Sequence, residues 1–114
     1  MKDQLYLLRP GFHKDDSGPF YCGDSVAVEG MLSFFPELRE ALDVHYLEFP
    51  RPRKPLVAKL GEANQSVPVL ILAKDRTVDA AMPGVSIAEG TRFISDEKAI
   101  RGYLSKQYDL PAAS

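Results

Sequence analysis

The sequence predicts an α/β domain in which helices cover both faces of a mixed four-stranded sheet. Strand and helix patterns alternate along the chain in the order strand, helix, strand, helix, strand, strand, helix. The opening run at 5–8 is apolar without alternation, which is typical of a strand covered on both faces. The strand–helix–strand start favours a right-handed crossover between parallel neighbours. The 114 residues suit one domain, which we predict over 1–110, followed by a short tail at 111–114.

The first half of the chain contains two predicted helices between two predicted strands. Apolar residues at helical spacing predict the first helix, and they are Val28, Met31, Leu32 and Phe35. Pro36 cannot continue this helix but suits the start of a second, shorter one. Val44 and Tyr46 then alternate with polar residues in a strand that ends at Pro50. Before the first helix, the polar composition of 12–19 predicts a surface loop.

The third predicted helix leads into the third strand. It opens at Pro55 and stops at Gly61, and the aliphatic run at 67–72 forms the strand that follows. Residues 73–91 read as a long loop with a short strand at 85–87. We expect some order in this loop, because long structureless loops are uncommon in compact domains.

The chain is predicted to end with an edge strand and a helix. The strand lies at 92–94, and Ser95 suits the N-cap of the helix. Asp96 and Glu97 then stand in the first turn, where acids favour the helix dipole. The buried stripe of this helix consists of Ala99, Ile100, Tyr103 and Leu104.

Composition and charge exclude several classes of function. The formal net charge is -2, so the chain has no basic field that would hold nucleic acid. The N-terminal apolar run is too short for a signal peptide, and no other run is long enough to span a bilayer. The one cysteine forbids an internal disulfide and a multi-cysteine zinc site. These features predict a cytoplasmic protein without nucleic-acid or membrane partners, and they leave the oligomeric state open.

Three motifs give the chain a resemblance to a known superfamily. The run Tyr21-Cys22-Gly23-Asp24-Ser25 places a C-x-x-S motif between the first strand and the first helix. Ser66-Val67-Pro68 opens the third strand, and ISDEKAIRGYL at 94–104 forms the last strand–helix junction. In this order the motifs resemble the thioredoxin-like superfamily, in particular glutaredoxins and the N-terminal domains of glutathione transferases.

The whole chain also resembles one narrower group. The runs LLRPGF at 7–12, FPEL at 35–38 and GEANQS at 61–66 are similar to those of an uncharacterised bacterial family within the thioredoxin-like superfamily. This resemblance covers nearly the full length. It implies a thioredoxin-like fold and adds little about the chemistry.

The superfamily resemblance implies a thiol active site. Cys22 would be the attacking thiol, with Tyr21 and Ser25 beside it, and the peptide bond before Pro68 would be cis. A helix N-terminus offers unpaired N–H groups and a positive dipole, so it would stabilise the Cys22 thiolate, and the Ser25 hydroxyl would add a hydrogen bond. Because Ser25 stands in the place of a second cysteine, the chemistry would be a monothiol cycle. Cys22 would attack a glutathione mixed disulfide, including one formed with a protein, and a second glutathione would release the enzyme.

The same resemblance implies where glutathione would bind. Its cysteinyl part would pair with the backbone of Val67 before Pro68, and its γ-glutamyl group would meet Ser95 and Asp96. Its glycyl carboxylate needs a cation, and the candidates are Arg51, Arg53 and Lys14. Glutathione is thus a co-substrate, and no tightly bound cofactor is predicted. No metal site is predicted either, because no justified ligand spacing is found among His13, Asp15, Asp16 and Cys22.

Two other functions and a structural interpretation stay open. The chain would instead be a non-catalytic module that binds glutathione or a protein segment at the Val67–Pro68 face. A third hypothesis is an iron–sulfur or metal carrier, in which two chains share a centre through Cys22 and glutathione. Asp24 opposes the thiol chemistry if its carboxylate points at the sulfur, whereas a carboxylate in solvent is screened. In the structural interpretation Cys22 is a small apolar residue, and Ser95 and Asp96 only cap a helix.

Overall fold

The computed structural model describes residues 1–78 and 82–114, and residues 79–81 of the predicted loop at 73–91 lie outside the described residues. The architecture is mixed α/β, as the sequence predicts. In chain order the elements are β1 (Gln4–Leu8), β2 (Phe12–Lys14), β3 (Ser17–Phe20), α1 (Gly23–Phe34), α2 (Glu37–Ala41), β4 (Asp43–Leu47), α3 (Lys54–Leu60), β5 (Val69–Ile71), β6 (Val85–Ala88), β7 (Thr91–Ile94) and α4 (Glu97–Gln107). No helix in the two described ranges is both long and apolar enough to cross a membrane.

The main sheet has five strands, in the order β4-β1-β5-β7-β6, within the described ranges. β1 is parallel to β4 and antiparallel to β5, and β7 is antiparallel to both β5 and β6. The sequence predicts a four-stranded sheet with 92–94 at its edge, but β7 lies inside the sheet because a fifth strand, β6, pairs with it. β6 contains the short strand predicted at 85–87, which the sequence does not assign to the sheet. Its hairpin with β7 turns at Glu89 and Gly90, which have φ of 51° and 71°. Two-residue hairpin turns with positive φ at both residues are usually marked in a sequence by Asn-Gly or Asp-Gly. The pair Glu89-Gly90 therefore does not predict this hairpin.

A second difference is the hairpin of β2 and β3, where the sequence predicts a surface loop. Phe12 pairs with Phe20 across this hairpin, and Lys14 pairs with Ser17. The ring of Phe12 also stacks on the ring of Phe49, with 4.5 Å between the centroids. The strands are too short and polar to show a period of two, and the stacking partner is distant in sequence. For these reasons the local pattern misses the hairpin.

Helices cover both faces of the main sheet, which confirms the prediction. Leu5 belongs to a buried cluster with Val28 of α1 and Ile100 of α4. Its neighbour Tyr6 belongs to a second cluster with Leu56 of α3. Because successive residues of a strand point to opposite faces, the two clusters lie on opposite sides of β1.

A buried carboxylate fixes the start of β1. Asp3 is 0% exposed, and its two oxygens accept the backbone N–H of Ala73 and the hydroxyl of Tyr103, each at 2.7 Å. The Nε of Arg76 lies 3.3 Å from Oδ1 and compensates the charge. A buried carboxylate without such partners is costly, so this network ties the end of the sheet to α4.

The last helix is capped by Asp96 and not by Ser95. The Oδ2 of Asp96 accepts the backbone N–H of Ala99 at 2.9 Å. Ser95 stays outside the helix and is exposed. Both side chains are common caps, so residue type alone does not distinguish them, and a carboxylate gains additionally from the helix dipole.

Candidate active site

Cys22 is the N-cap residue of α1, where the sequence places it. Its backbone is extended, with φ of -85° and ψ of 116°, and the helix begins at the next residue. The Sγ atom accepts the backbone N–H of Ser25 at 3.4 Å. The side chain is partly exposed, so the sulfur combines solvent access with the electropositive end of a helix.

Ser25 supports the helix start through its hydroxyl. The residue is 4% exposed, and its Oγ accepts the backbone N–H of Leu8 at 3.0 Å. This bond joins the first turn of α1 to the end of β1. The sequence predicts a hydrogen bond from the Ser25 hydroxyl to sulfur, but the group that reaches Sγ is the Ser25 backbone N–H. Within 1–78 and 82–114, no hydrogen bond donated by the hydroxyl is found.

A cleft of about 360 Å³ lies beside the thiol. It brings together all three residues of the predicted thiol centre, which are Tyr21, Cys22 and Ser25. The other residues that line it are Leu7, Leu8, Arg9, Pro10, Val26, Glu29 and Tyr46. Most of these side chains are apolar or aromatic, so the cleft combines a nucleophile with an apolar surface.

Arg53 is a buried cation whose pKa responds to the charge of Cys22. Burial lowers the pKa of Arg53, the charge of Arg51 lowers it further, and the negative charge of an ionised Cys22 raises it. No carboxylate contributes to the Arg53 pKa in the described structure. The guanidinium is held by backbone carbonyls, since it donates to the oxygens of Phe49 and Gln65 at 2.7–3.2 Å. Arg53 is thus subject to the charge of both Arg51 and Cys22. Asp24 is exposed, where solvent screens its charge.

The predicted glutathione contacts do not line the cleft, although the β1–β5 register, with Tyr6 opposite Val69, brings Pro68 beside the end of β1 that does. The Val67–Pro68 peptide bond is cis and Pro68 is buried. Ser95 lines a small cavity of about 50 Å³, and Asp96 caps α4. None of these four residues is among those that line the Cys22 cleft where the structure describes it. The third candidate cation, Lys14, lies 5.7 Å from the ring centre of Phe20 on the β2–β3 hairpin.

Sequence reasoning misses a polar group at the rim of the cleft. The hydroxyl of Tyr46 donates to the carboxylate of Glu29 at 2.9 Å, and Arg39 pairs with the same carboxylate at 3.0 Å. Burial raises the pKa of Tyr46, the hydrogen bond from Arg39 lowers it, and the Glu29 carboxylate raises it. These residues come from β4, α1 and α2, so no local pattern brings them together. The only signal for Tyr46 in the sequence is its alternation with polar residues in the predicted strand, and this pattern indicates a packing role.

The arrangement suits nucleophilic chemistry at sulfur. It supplies an accessible thiol at a helix N-terminus, an N–H donor, a nearby cation and a cleft for part of a substrate. Among the described residues, no group of three His, Cys, Asp and Glu side chains is placed to hold a metal ion.

Comparison with known proteins places the chain in a family. The chain belongs to the family described as "Protein of unknown function (DUF3088)", whose model matches residues 2–112. The match covers all the strands and helices described above. No curated protein and no solved structure matches the chain.

Proposed function

We propose that this chain is a thioredoxin-like protein that works as a monothiol, glutaredoxin-like thiol–disulfide oxidoreductase through Cys22. The observation that carries the proposal is the position of the Cys22 sulfur at the N-terminus of α1. There it accepts the Ser25 N–H and borders an open cleft. A reducing compartment such as the cytoplasm would supply the glutathione that the reaction consumes.

The topology of the main sheet supports a thioredoxin-like fold. Without β6, the strand order is β4-β1-β5-β7, with one parallel pair and two antiparallel pairs. Helices lie on both faces of the sheet. Cys22 follows β1 and the β2–β3 hairpin, and it directly precedes α1. The cis peptide before Pro68 at the start of β5 agrees with the same fold.

The groups around the Cys22 sulfur suit a reaction in which negative charge develops on it. The Ser25 N–H and the positive end of the α1 dipole both favour negative charge on sulfur. A negative charge on Cys22 and the cation of Arg53 attract each other, as the effect of Cys22 on the Arg53 pKa indicates. Asp24 is the one opposing charge beside Cys22 in sequence, and its exposure to solvent weakens its effect.

The proposed reaction transfers one glutathionyl group onto and off Cys22. The thiolate attacks the glutathionyl sulfur of a mixed disulfide, the new disulfide forms as the old one breaks, and the released thiolate takes a proton from water. A second glutathione thiolate then attacks the same glutathionyl sulfur. Oxidised glutathione leaves, and Cys22 returns as the thiolate. In the net reaction the sulfur of the released thiol is reduced, and the sulfur of one incoming glutathione is oxidised as it joins the glutathionyl group in oxidised glutathione.

Charge placement supports the predicted binding mode for glutathione. Arg51 and Arg53 form a cationic region, because the charge of Arg51 acts on Arg53, and such a region suits the glycyl carboxylate. The exposed carboxylate of Asp96 suits the α-amino group of the γ-glutamyl part. The backbone of Val67, before the buried Pro68, would pair with the cysteinyl part.

Turnover of a glutathione mixed disulfide tests the proposal. The wild-type protein should reduce the mixed disulfide of glutathione and 2-mercaptoethanol with glutathione as reductant. Cys22→Ser should abolish this activity, and Ser33→Ala, on the exposed side of α1, should leave it unchanged. Wild-type activity no greater than that of Cys22→Ser would overturn the proposal.

A module that binds glutathione or a protein segment at the Val67–Pro68 face is the second candidate, because the predicted contacts Val67, Pro68, Ser95 and Asp96 do not include the thiol. Under this hypothesis, calorimetry would detect glutathione binding of equal strength in the wild type and in Cys22→Ser. The wild type would show no turnover.

A further inference from the structure

We infer that Arg53 and Gln65 are positioning residues, which together hold the backbone of Val67 in place for the disulfide that Cys22 attacks. The inference deepens the proposed function and rests on it in one respect, namely that a disulfide at Cys22 pairs with the Val67 backbone. It gives Arg53 a role that the sequence does not indicate, since the sequence offers Arg53 only as a candidate cation for the glycyl carboxylate.

Arg53 and Gln65 form a reciprocal, buried pair, and each is 8% exposed. The backbone N–H of Arg53 donates to the Oε1 of Gln65 at 2.7 Å, and the Nη1 of Arg53 donates to the backbone oxygen of Gln65 at 2.8 Å. The Nε2 of Gln65 also donates to the backbone oxygen of Glu62 at 2.9 Å. Because polar groups at this depth are costly to leave unpaired, the pair fixes the 62–65 segment against the start of α3.

The position of Val67 is set by this pair on one side and by β5 on the other. Gln65 precedes Val67 by two residues, and Val69 follows it by two and pairs with Tyr6 in the main sheet. The backbone of Val67 therefore lies in a short span between two fixed points, and Pro68 within this span is buried. A displacement of Gln65 would be transmitted to Val67, because a single residue separates them.

The guanidinium of Arg53 also contacts a segment that leads towards Cys22. Its Nε and Nη2 both donate to the backbone oxygen of Phe49, at 3.2 and 2.7 Å. The ring of Phe49 stacks on that of Phe12, in the β2–β3 hairpin that ends two residues before Cys22. Arg53 thus joins the 62–65 segment to contacts that reach the thiol. A negative charge on Cys22 raises the pKa of Arg53, which agrees with this arrangement.

A lysine at position 53 could not make the same set of contacts. The three nitrogens of the guanidinium lie in one rigid plane and donate to carbonyls of two separate segments, whereas an ammonium is a single point on a flexible stem. Arg53→Lys therefore keeps the positive charge and loses this geometry. Gln65→Ala keeps the charge of Arg53 and removes the acceptor of its backbone N–H. The two variants separate positioning from charge.

The test compares two reactions of the same thiol. Iodoacetamide forms a thioether with the Cys22 thiolate as iodide leaves, and it needs no contact with Val67. Oxidised glutathione is attacked at one sulfur, a new disulfide forms, and glutathione leaves as a thiolate that takes a proton from water. In Arg53→Lys and in Gln65→Ala, the rate with oxidised glutathione should fall by about threefold to tenfold, because the hydrogen bonds between Val67 and the substrate are misplaced. The rate with iodoacetamide should change by less than about twofold.

Glu62→Ala is the matched control, because it changes an exposed side chain of the same segment and keeps the backbone oxygen that Gln65 uses. Both of its rates should equal those of the wild type. The inference is overturned if Arg53→Lys and Gln65→Ala keep the wild-type ratio of the two rates. It is also overturned if both rates fall in parallel, which would indicate an effect on the thiol itself. Circular dichroism checks that each variant is folded, and Gln65→Asn, which shortens the side chain, replaces Gln65→Ala if that variant does not fold.

The positioning role and the proposed function fail separately. Suppose that the ratio falls in both variants while the wild type turns over no glutathione mixed disulfide. This result would refute the oxidoreductase and keep the positioning role. Turnover by the wild type, together with an unchanged ratio in Arg53→Lys and Gln65→Ala, would support the oxidoreductase and overturn the positioning role.

Discussion

The backbone N–H of Leu8 donates a hydrogen bond of 3.0 Å to the buried hydroxyl of Ser25. This contact attaches the first turn of α1 to the end of β1. It thereby fixes the position of Cys22 at the helix N-terminus. In a C-x-x-C motif the place of Ser25 belongs to a second cysteine. Here it is occupied by a structural hydroxyl, so the chemistry of the site depends on one thiol.

The Ser25 contact predicts a stability cost. Ser25→Ala leaves the buried N–H of Leu8 without its partner, so the free energy of unfolding should fall by about 1–3 kcal/mol. Urea denaturation measures this change. Ser33→Ala, at an exposed position of the same helix, should cost under about 0.5 kcal/mol. Equal costs for the two variants would show that the Ser25 hydroxyl contributes little.

The Asp3 network predicts a larger cost at the other end of the domain. Asp3→Ala removes the acceptor of two 2.7 Å hydrogen bonds and the partner of Arg76. Because this leaves buried donors unpaired, the free energy of unfolding should fall by about 3 kcal/mol or more. Asp75→Ala provides the control, since Asp75 is 67% exposed and its ion pair with the N-terminus is 3.7 Å long. A similar loss in the free energy of unfolding for Asp3→Ala and Asp75→Ala would contradict a stabilising role of the buried network.

Alkaline pH should destabilise the protein through its buried tyrosines. Burial raises the pKa of Tyr103 far above its ordinary value, and the hydrogen bond and charge of Asp3 raise it further. Because the folded-state pKa exceeds the unfolded one, the stabilisation is complete below about pH 10 and is lost as pH rises through the folded-state pKa. Burial acts in the same direction on the pKa of Tyr6 and of Tyr108.

The measurement is urea denaturation between about pH 9 and about pH 11. The wild-type free energy of unfolding should decrease above about pH 10, and Tyr103→Phe should flatten part of this decrease while lowering stability at neutral pH. The control is Tyr21→Phe, at a residue that is 66% exposed, and it should keep the wild-type slope. An unchanged slope in Tyr103→Phe would refute this origin of the alkaline loss.

The cationic region predicts an effect on substrate binding. Arg51 is exposed and close enough to Arg53 to lower its pKa. Arg51→Ala should raise KM for a glutathione mixed disulfide by about two- to fivefold with little change in kcat, because an exposed ion pair with a carboxylate is worth under about 1 kcal/mol. Steady-state kinetics measure both constants. Lys54→Ala is the control, because it removes a neighbouring exposed cation. If KM rises equally in Lys54→Ala and Arg51→Ala, the effect comes from net charge and not from a specific contact of Arg51.

The sequence predicts the elements whose pattern is local. Val28 and Leu32 mark α1 through their helical spacing, and both are buried in the structure. The apolar run at 5–8 marks β1, and the cysteine before α1 places the thiol at the helix N-terminus. These features depend on neighbouring residues and on a period that can be read from the chain.

Contacts between distant segments could not be predicted in this way. The bond between Asp3 and Tyr103 joins residues that are 100 positions apart, and the bond between Tyr46 and Glu29 joins residues 17 positions apart. The role of Ser25 is also set by the end of β1, which no spacing within C-x-x-S reveals. The cleft is made from three such segments, so only the fold shows that Val26 lies in its wall.

Mass spectrometry of the protein after incubation with oxidised glutathione tests directly whether Cys22 can carry a glutathionyl group. A monothiol cycle predicts one glutathionyl group on Cys22, its removal by reduced glutathione, and no adduct on Cys22→Ser. An intact protein that stays unmodified under conditions in which a free thiol reacts would contradict it. So would an adduct that excess reduced glutathione does not release, because Cys22 would then be unable to complete the cycle.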